Sequence, residues 1–135
     1  MSLITWNPTF SVKVKLFDDQ HIKLVDMINE LYDAMKAGKG SETVGKILGE
    51  LVSYTVTHFT DEERVLAQHN FADLEAHKSE HEQLARQVLD LQQKFESGQA
   101  ILTLNVMMFL KDWLMTHIQG EDRKYGDYLN DRGIN

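Results

Sequence analysis

After Pro8 the 135-residue chain contains no further proline, and its apolar residues recur every three or four positions in four long stretches. With no proline to break them, these stretches can end only at glycine or polar turns. Ile22, Val25, Ile28, Leu31, Tyr32 and Met35 predict a first helix. It should begin at Asp18 or Asp19, either of which can cap backbone donors. Gly38 and Gly40 in AGKGS end it. Ser41 is the expected cap of a second helix, which carries Val44, Ile47, Leu48, Leu51, Val52, Thr55 and Phe59 to about Gln68. Gly45 and Gly49 inside it each cost about 1 kcal/mol relative to alanine. Either a neighbouring helix comes close there, or the glycines are simply tolerated. HNFAD is a turn, and Asp73 opens a third helix with Leu74, His77, His81, Leu84, Val88, Leu91 and Phe95 along one side, ending in ESGQA at Gly98.

A fourth helix runs from Ile101 or Thr103 to Ile118, with Val106, Phe109, Leu110, Trp113, Leu114 and His117 facing inward. Ahead of the helices, Val12, Val14 and Leu16 alternate with Lys13 and Lys15. No second strand candidate exists, so residues 1–17 read as a packed arm rather than part of a sheet. Residues 119–135 read as a short C-terminal helical segment. The expectation is one all-α domain over 1–135, an antiparallel up-down-up-down four-helix bundle with its helices between 18 and 118.

Cysteine is absent. That excludes disulfides, thiolate zinc sites, iron–sulfur clusters and c-type haem attachment, and it favours a reducing, intracellular setting. A net charge of −7 with no basic face disfavours nucleic-acid binding. The segment MSLITWNPTF lacks the charged-then-apolar order of a signal peptide, and no apolar run reaches membrane-spanning length. A cytoplasmic protein without membrane insertion is expected.

The histidines carry the chemistry. His58 and Glu62 are four apart, as are His77 and His81; His117 and Asp122 are five apart, and His21 stands near the start of the first helix. Residues four apart share a helix face, about 6 Å apart along the axis, and can aim at one point. In an up-down-up-down bundle all these positions fall at one end. Each pair alone is a weak signal, and a lone core histidine is more often hydrogen-bonded than ligating. Burying all of them without metal, however, would require a separate set of hydrogen-bond partners for each. Asp122 is the difficult member. Five residues of ideal helix rotate ~500°, about 140° off the histidine's face, so a distortion is predicted between Ile118 and Asp122, with Gly120 the residue best able to permit it. Asp61 and Glu63 are expected to point into solvent, and His69 to lie on the surface in a turn. Met107, Met108 and Met115 are expected to fill core.

His21, His58, Glu62, His77, His81, His117 and Asp122 are more donors than one ion accepts, which implies two ions. Imidazole and carboxylate suit iron, manganese or zinc. If Glu62 and Asp122 bridge two ions together with an oxo or hydroxo group, the histidines divide unequally and one ion keeps an open position. Next to two iron(II) ions such a position suits dioxygen. No Glu-x-x-His of the oxygen-activating di-iron bundles occurs, DDQH at 18–21 being the nearest. A shell of neutral imidazoles favours binding over oxygenation.

DDQH at 18–21, HFTDE at 58–62, FADLEAHKSEH at 71–81 and DWLMTHIQGED at 112–122 together resemble the hemerythrin family, in particular its single-domain bacterial members, over nearly the whole chain. The resemblance implies a cofactor of two non-haem iron ions. His77, His81 and His117 would hold the six-coordinate iron and His21 and His58 the five-coordinate one, with Glu62 and Asp122 bridging. It also implies an apolar oxygen pocket formed by Phe59, Trp113, Leu114 and Ile118. Where many members carry proline soon after the final histidine, this chain has Gln119 and Gly120, which predicts a looser pocket and faster autoxidation. The expected function is reversible dioxygen binding without catalytic residues: a carrier, a store, or a supplier to an oxygen-consuming protein. The alternatives are a sensor of oxygen, nitric oxide or iron, and an enzyme, either a di-iron oxidase or peroxidase or a two-zinc hydrolase.

Overall fold

The structure is a computed structural model that describes residues 3–98 and 103–135. Its helices are α1 (Lys15–Lys36), α2 (Ser41–Gln68), α3 (Leu74–Glu96), α4 (Leu104–Thr116) and α5 (Arg123–Asn130). A π-helical segment, His117–Asp122, joins α4 to α5, and a single 3-10 turn, Pro8–Phe10, lies in the arm. No strand occurs among the described residues. The four long helices form the expected bundle, and α5 is the C-terminal helical segment.

The start of α1 differs from expectation. It begins at Lys15 behind Val14, which offers no side-chain cap. Asp18 is engaged elsewhere: Oδ1 accepts from the Val12 N–H at 2.8 Å and Oδ2 from Ser11 Oγ at 2.6 Å. The carboxylate thus ties the arm down from inside the first turn. The alternation stops with it, since Val12 and Val14 are buried while Leu16, already helical, is 49% exposed. Between the two valines Lys13 takes a left-handed backbone, φ 59°, sparsely populated for a non-glycine residue. Its carbonyl accepts from Asn130 Nδ2 at 2.9 Å, which anchors the bend to the end of α5.

The remaining boundaries follow the turn residues with small shifts. Gly38 and Gly98 adopt φ 71° and 77° after α1 and α3. Gly40 rather than Ser41 occupies the cap of α2, and Asp73 precedes α3 without a side-chain capping bond. Thr103 does cap α4, its hydroxyl accepting from the Val106 N–H at 3.3 Å; the alternative start, Ile101, lies outside the described residues. Of the glycines within α2, Gly45 marks close approach of α3, while Gly49 has room for a Cβ in ordinary contact. A Cβ on Gly45 would lie 3.3 Å from the Phe95 ring, and one on Gly49 3.5 Å from Gln92 Nε2.

The buried face of α4 is rotated from the one read in the sequence. Met107, Leu110, Trp113 and Leu114 are buried, whereas Phe109 and Met108 are substantially exposed. Spacing of three, four and seven selects 107, 110 and 114 as one stripe, and Phe109 flanks it. Met115 packs at the core's edge.

Two apolar clusters stack along the bundle. The larger contains Leu24, Ile28, Leu31, Leu48, Leu51, Phe59, Val88, Met107, Leu110 and Leu114. The smaller joins arm, helix ends and α5 through Val12, Val14, Phe17, Leu66, Phe71, Tyr125 and Leu129. Gly126 lets α5 meet the arm, because a Cβ there would overlap the Val12 carbonyl oxygen. On α1, His21 falls between Phe17 of the smaller cluster and Leu24 of the larger. On α2, Glu62 falls likewise between Leu66 and Phe59. Polar side chains are therefore held in a dry layer between two hydrophobic ones.

Candidate metal centre

Every candidate donor lies in that layer. His21, His58, Glu62, His77, His81, His117 and Asp122 are all buried, with Glu62 and Asp122 completely so. α1 supplies His21, α2 supplies His58 and Glu62, and α3 supplies His77 and His81. The π segment supplies both His117 and Asp122. Hydrogen bonding from i to i+5 widens the turn so that residues five apart share a face. This is the distortion anticipated from the sequence, with a different local cause. Gly120 does not adopt a positive φ, and a Cβ there would meet nothing within 4 Å. The segment therefore does not depend on glycine's left-handed freedom.

The carboxylates divide their oxygens. Glu62 Oε1 faces His81 Nε2 at 3.1 Å and His77 Nε2 at 3.8 Å. Asp122 Oδ1 faces His117 Nε2 at 2.9 Å and His77 Nε2 at 3.3 Å. The other oxygens face the opposite way. Glu62 Oε2 lies 3.3 Å from both His21 Nε2 and His58 Nε2, and Asp122 Oδ2 lies 3.0 Å from His21 Nε2. Two compact donor groups result, each with its atoms within 4.8 Å of one another. One is Glu62, His77, His81, His117 and Asp122; the other is His21, His58, Glu62 and Asp122.

The outer nitrogens are held from behind. His81 Nδ1–H donates to Glu63 Oε2 at 3.0 Å and His117 Nδ1–H to Glu80 Oε1 at 2.9 Å. His58 Nδ1–H donates to Gln20 Oε1, and Gln20 Nε2 donates to Asp61 Oδ2 at 3.0 Å. A proton on Nδ1 leaves the Nε2 lone pair pointing inward, as a metal ligand requires. Asp61 and Glu63 are thus not solvated bystanders as expected; they are half-buried and take part in the site. Gln20 and Glu80 lie within the motifs DDQH and FADLEAHKSEH but have no role assigned by spacing, and Tyr125 is not marked in the sequence at all. Tyr125, fully buried, donates its hydroxyl to Glu62 Oε2. His69 sits at the end of α2 outside the cluster, its carbonyl accepting from Tyr128.

Electrostatics bind the layer together. Burial pushes Glu62 up, but His58, His21 and His77 hold it well below the usual carboxylate range. Burial and Glu62 push Asp122 up, and His117 and His21 outweigh them. Burial works against charge on His21 and His77 as well, yet Asp122 and Glu62 raise each to about 9. Burial and the two carboxylates push Tyr125 well above 10, so its hydroxyl stays a donor.

A cation fits this arrangement on the donors' own terms. The Nε2 atoms of all five clustered histidines, with Glu62 Oε1 and both Asp122 oxygens, are buried without a hydrogen-bond partner. These orphans lie against one another, imidazole nitrogen to carboxylate oxygen at 2.9–3.8 Å, as ion pairs. Here the orphans converge instead of scattering. Imidazole and carboxylate without sulfur suit a first-row divalent ion.

Beside the cluster lies a small apolar pocket lined by Leu24, Phe59, Leu84, Trp113 and Leu114, with His21, His58, His117 and Asp122 at its polar side. Phe59 stacks on His81 with centroids 3.9 Å apart, and Trp113 Nε1 donates to the Leu84 carbonyl at 3.3 Å. Ile118, expected in this lining, is fully buried in the larger cluster and does not line the pocket. Leu24 and Leu84 occupy the wall instead. No helix among the described residues is long and apolar enough to cross a membrane.

Residues 12–129 match the hemerythrin HHE cation binding domain. A bacteriohemerythrin of Methylococcus capsulatus is 40% identical over 96% of this chain and 99% of its own length. A hemerythrin-like protein of Naegleria gruberi is 32% identical over 95% of each chain. A crystal structure of wild-type hemerythrin superposes with a TM-score of 0.87 at 39% identity, covering 93% of this chain and 97% of that one. With its fold, its donor cluster and these relatives in agreement, the chain belongs to the hemerythrin family.

Proposed function

We propose that this protein holds two non-haem iron ions and takes up dioxygen reversibly beside them, as a carrier, store or supplier of oxygen in the cytoplasm. His77, His81 and His117 would hold one iron and His21 and His58 the other, with Glu62 and Asp122 available to both. The observation that carries this reading is the split of the two carboxylates between two overlapping donor groups. Two ferrous ions would each lend dioxygen one electron and recover it when the gas leaves.

The chain's residues do the rest. The group containing His21 and His58 has fewer donors, and both of its histidines line the apolar pocket, whereas of the other group's histidines only His117 does. Leu24, Phe59, Leu84, Trp113 and Leu114 keep water and protons from that position, where they would promote irreversible oxidation. Tyr125 fixes Glu62 from the far side without giving up its proton. The pocket lining offers no ionisable side chain beyond the cluster itself, which supports binding rather than turnover.

The test is to load the protein with ferrous iron anaerobically, admit oxygen and remove it. Oxygenated absorption bands should appear and vanish over repeated cycles, with two irons per chain by elemental analysis. Steady oxygen consumption in the presence of a reductant would show an oxidase instead.

A further inference from the structure

The two donor groups are backed unequally. Behind the three-histidine group stand two carboxylates, Glu63 on His81 Nδ1 and Glu80 on His117 Nδ1. Behind the two-histidine group stands a neutral amide, Gln20, on His58 Nδ1. His21 Nδ1 has no partner. The Gln20 amide in turn donates to Asp61, which lies 3.7 Å from Arg64.

Glu63 and Glu80 sit on opposite flanks of α3. Glu63 shares a surface groove between α2 and α3 with Lys78 and Glu82, and Glu80 shares one between α3 and α4 with Gln87 and Asp112. Their side chains are 27% and 31% exposed. Water therefore supports their charge at the outer end while the inner oxygen grips an imidazole. A carboxylate accepting from Nδ1–H fixes the ring and makes Nε2 a stronger donor. An amide fixes the ring without adding charge.

We propose that Glu63 and Glu80 are positioning residues that make the three-histidine pocket the first and tighter of the two to load, with the Gln20-backed pocket filling second. The inference rests on the two-ion reading above and adds an order to it. A stepwise site separates building from gas binding: the first ion organises Glu62 and Asp122, and the second completes the pocket that faces the apolar cavity.

The experiment uses metal-stripped full-length protein titrated with zinc(II), which avoids redox chemistry. Calorimetry reads the two affinities, and NMR of ¹⁵N-histidine-labelled protein reads which rings coordinate. At one equivalent the His77, His81 and His117 nitrogens should shift before those of His21 and His58. Glu63→Gln and Glu80→Gln should each weaken the first step about 10-fold or more and leave the second within about threefold. Glu82→Gln removes an exposed α3 charge that pairs with Arg86 rather than with a histidine, and should change neither. The double swap Gln20→Glu with Asp61→Asn, which moves the carboxylate onto His58, should tighten the second step, a gain that a merely structural role would not produce. Simultaneous loading of both pockets, equal weakening of both steps, or indifference to Glu63→Gln and Glu80→Gln would overturn the inference while leaving two-ion binding intact. Uptake of a single ion by the unmodified protein would overturn the two-ion reading, and the order with it.

Discussion

His58 shows how much one side chain carries. It is a donor in only one of the two groups, stands against the apolar pocket, and has its tautomer set by Gln20. His58→Ala should leave the three-histidine ion in place and release the other. Iron content should fall toward one per chain, and the oxygenated bands should be lost while the helical signal persists; full oxygen binding by this variant would refute the division of ligands. The structure brings all seven candidate donors together; four-residue spacing, a local code, marked His58 with Glu62 and His77 with His81, while His21 and the five-spaced His117 and Asp122 needed the bundle topology. Their supports were not legible in either way. Glu63 serves a histidine 18 residues away and Glu80 one 37 residues away. Each is adjacent in sequence to a different donor, so neighbouring spacing pointed away from its partner.

Among the elements, the π segment and α5 are the least ordinary. The sequence required a distortion before Asp122, and the structure places it at His117–Asp122. The attribution to glycine freedom does not hold, since Gly120 keeps a negative φ with open space at its Cβ position. Gly120→Ala should therefore fold normally and gain about 0.5–1 kcal/mol in chemical denaturation. If looseness after His117 speeds oxidation, the same variant should autoxidise more slowly, and an unchanged rate would remove that idea. Gly126 is the opposite case. Gly126→Ala drives a methyl into the Val12 backbone, and about 1–3 kcal/mol of destabilisation is expected from such overpacking, read as a lowered denaturant midpoint. Nothing in the sequence marked Gly126, because the clash arises from an arm more than a hundred residues away. The α1 boundary was misread for a related reason: Asp18 looked like a helix cap, but its oxygens were already committed to Ser11 and Val12.

For the whole molecule, the charged layer between two apolar clusters makes stability depend on protons and metal together. In metal-stripped protein His21 and His77 are held at about 9 against an ordinary 6.5. Between those values the folded chain binds more protons than the unfolded one, so stability must fall as pH rises. The unfolding midpoint of stripped protein should drop from pH 6.5 toward pH 9 and flatten beyond. Metal loading should reverse the sign, since ligation needs neutral imidazoles. Iron uptake near pH 7 should therefore release protons, measurable in a weakly buffered titration, and a loaded protein with the same falling profile would contradict this picture. The bundle architecture was readable from periodicity and glycine turns alone. The stacking of two cores around a polar layer was not, because it depends on which ends of the helices the arm and α5 cover.

The central claim is that two iron ions share Glu62 and Asp122 between unequal histidine sets. Anomalous diffraction at the iron edge from crystals of the loaded protein tests it most directly. The account predicts two peaks, one ligated by His77, His81 and His117 and the other by His21 and His58, with both carboxylates spanning the pair. A single peak, or a second one away from His21 and His58, would contradict it.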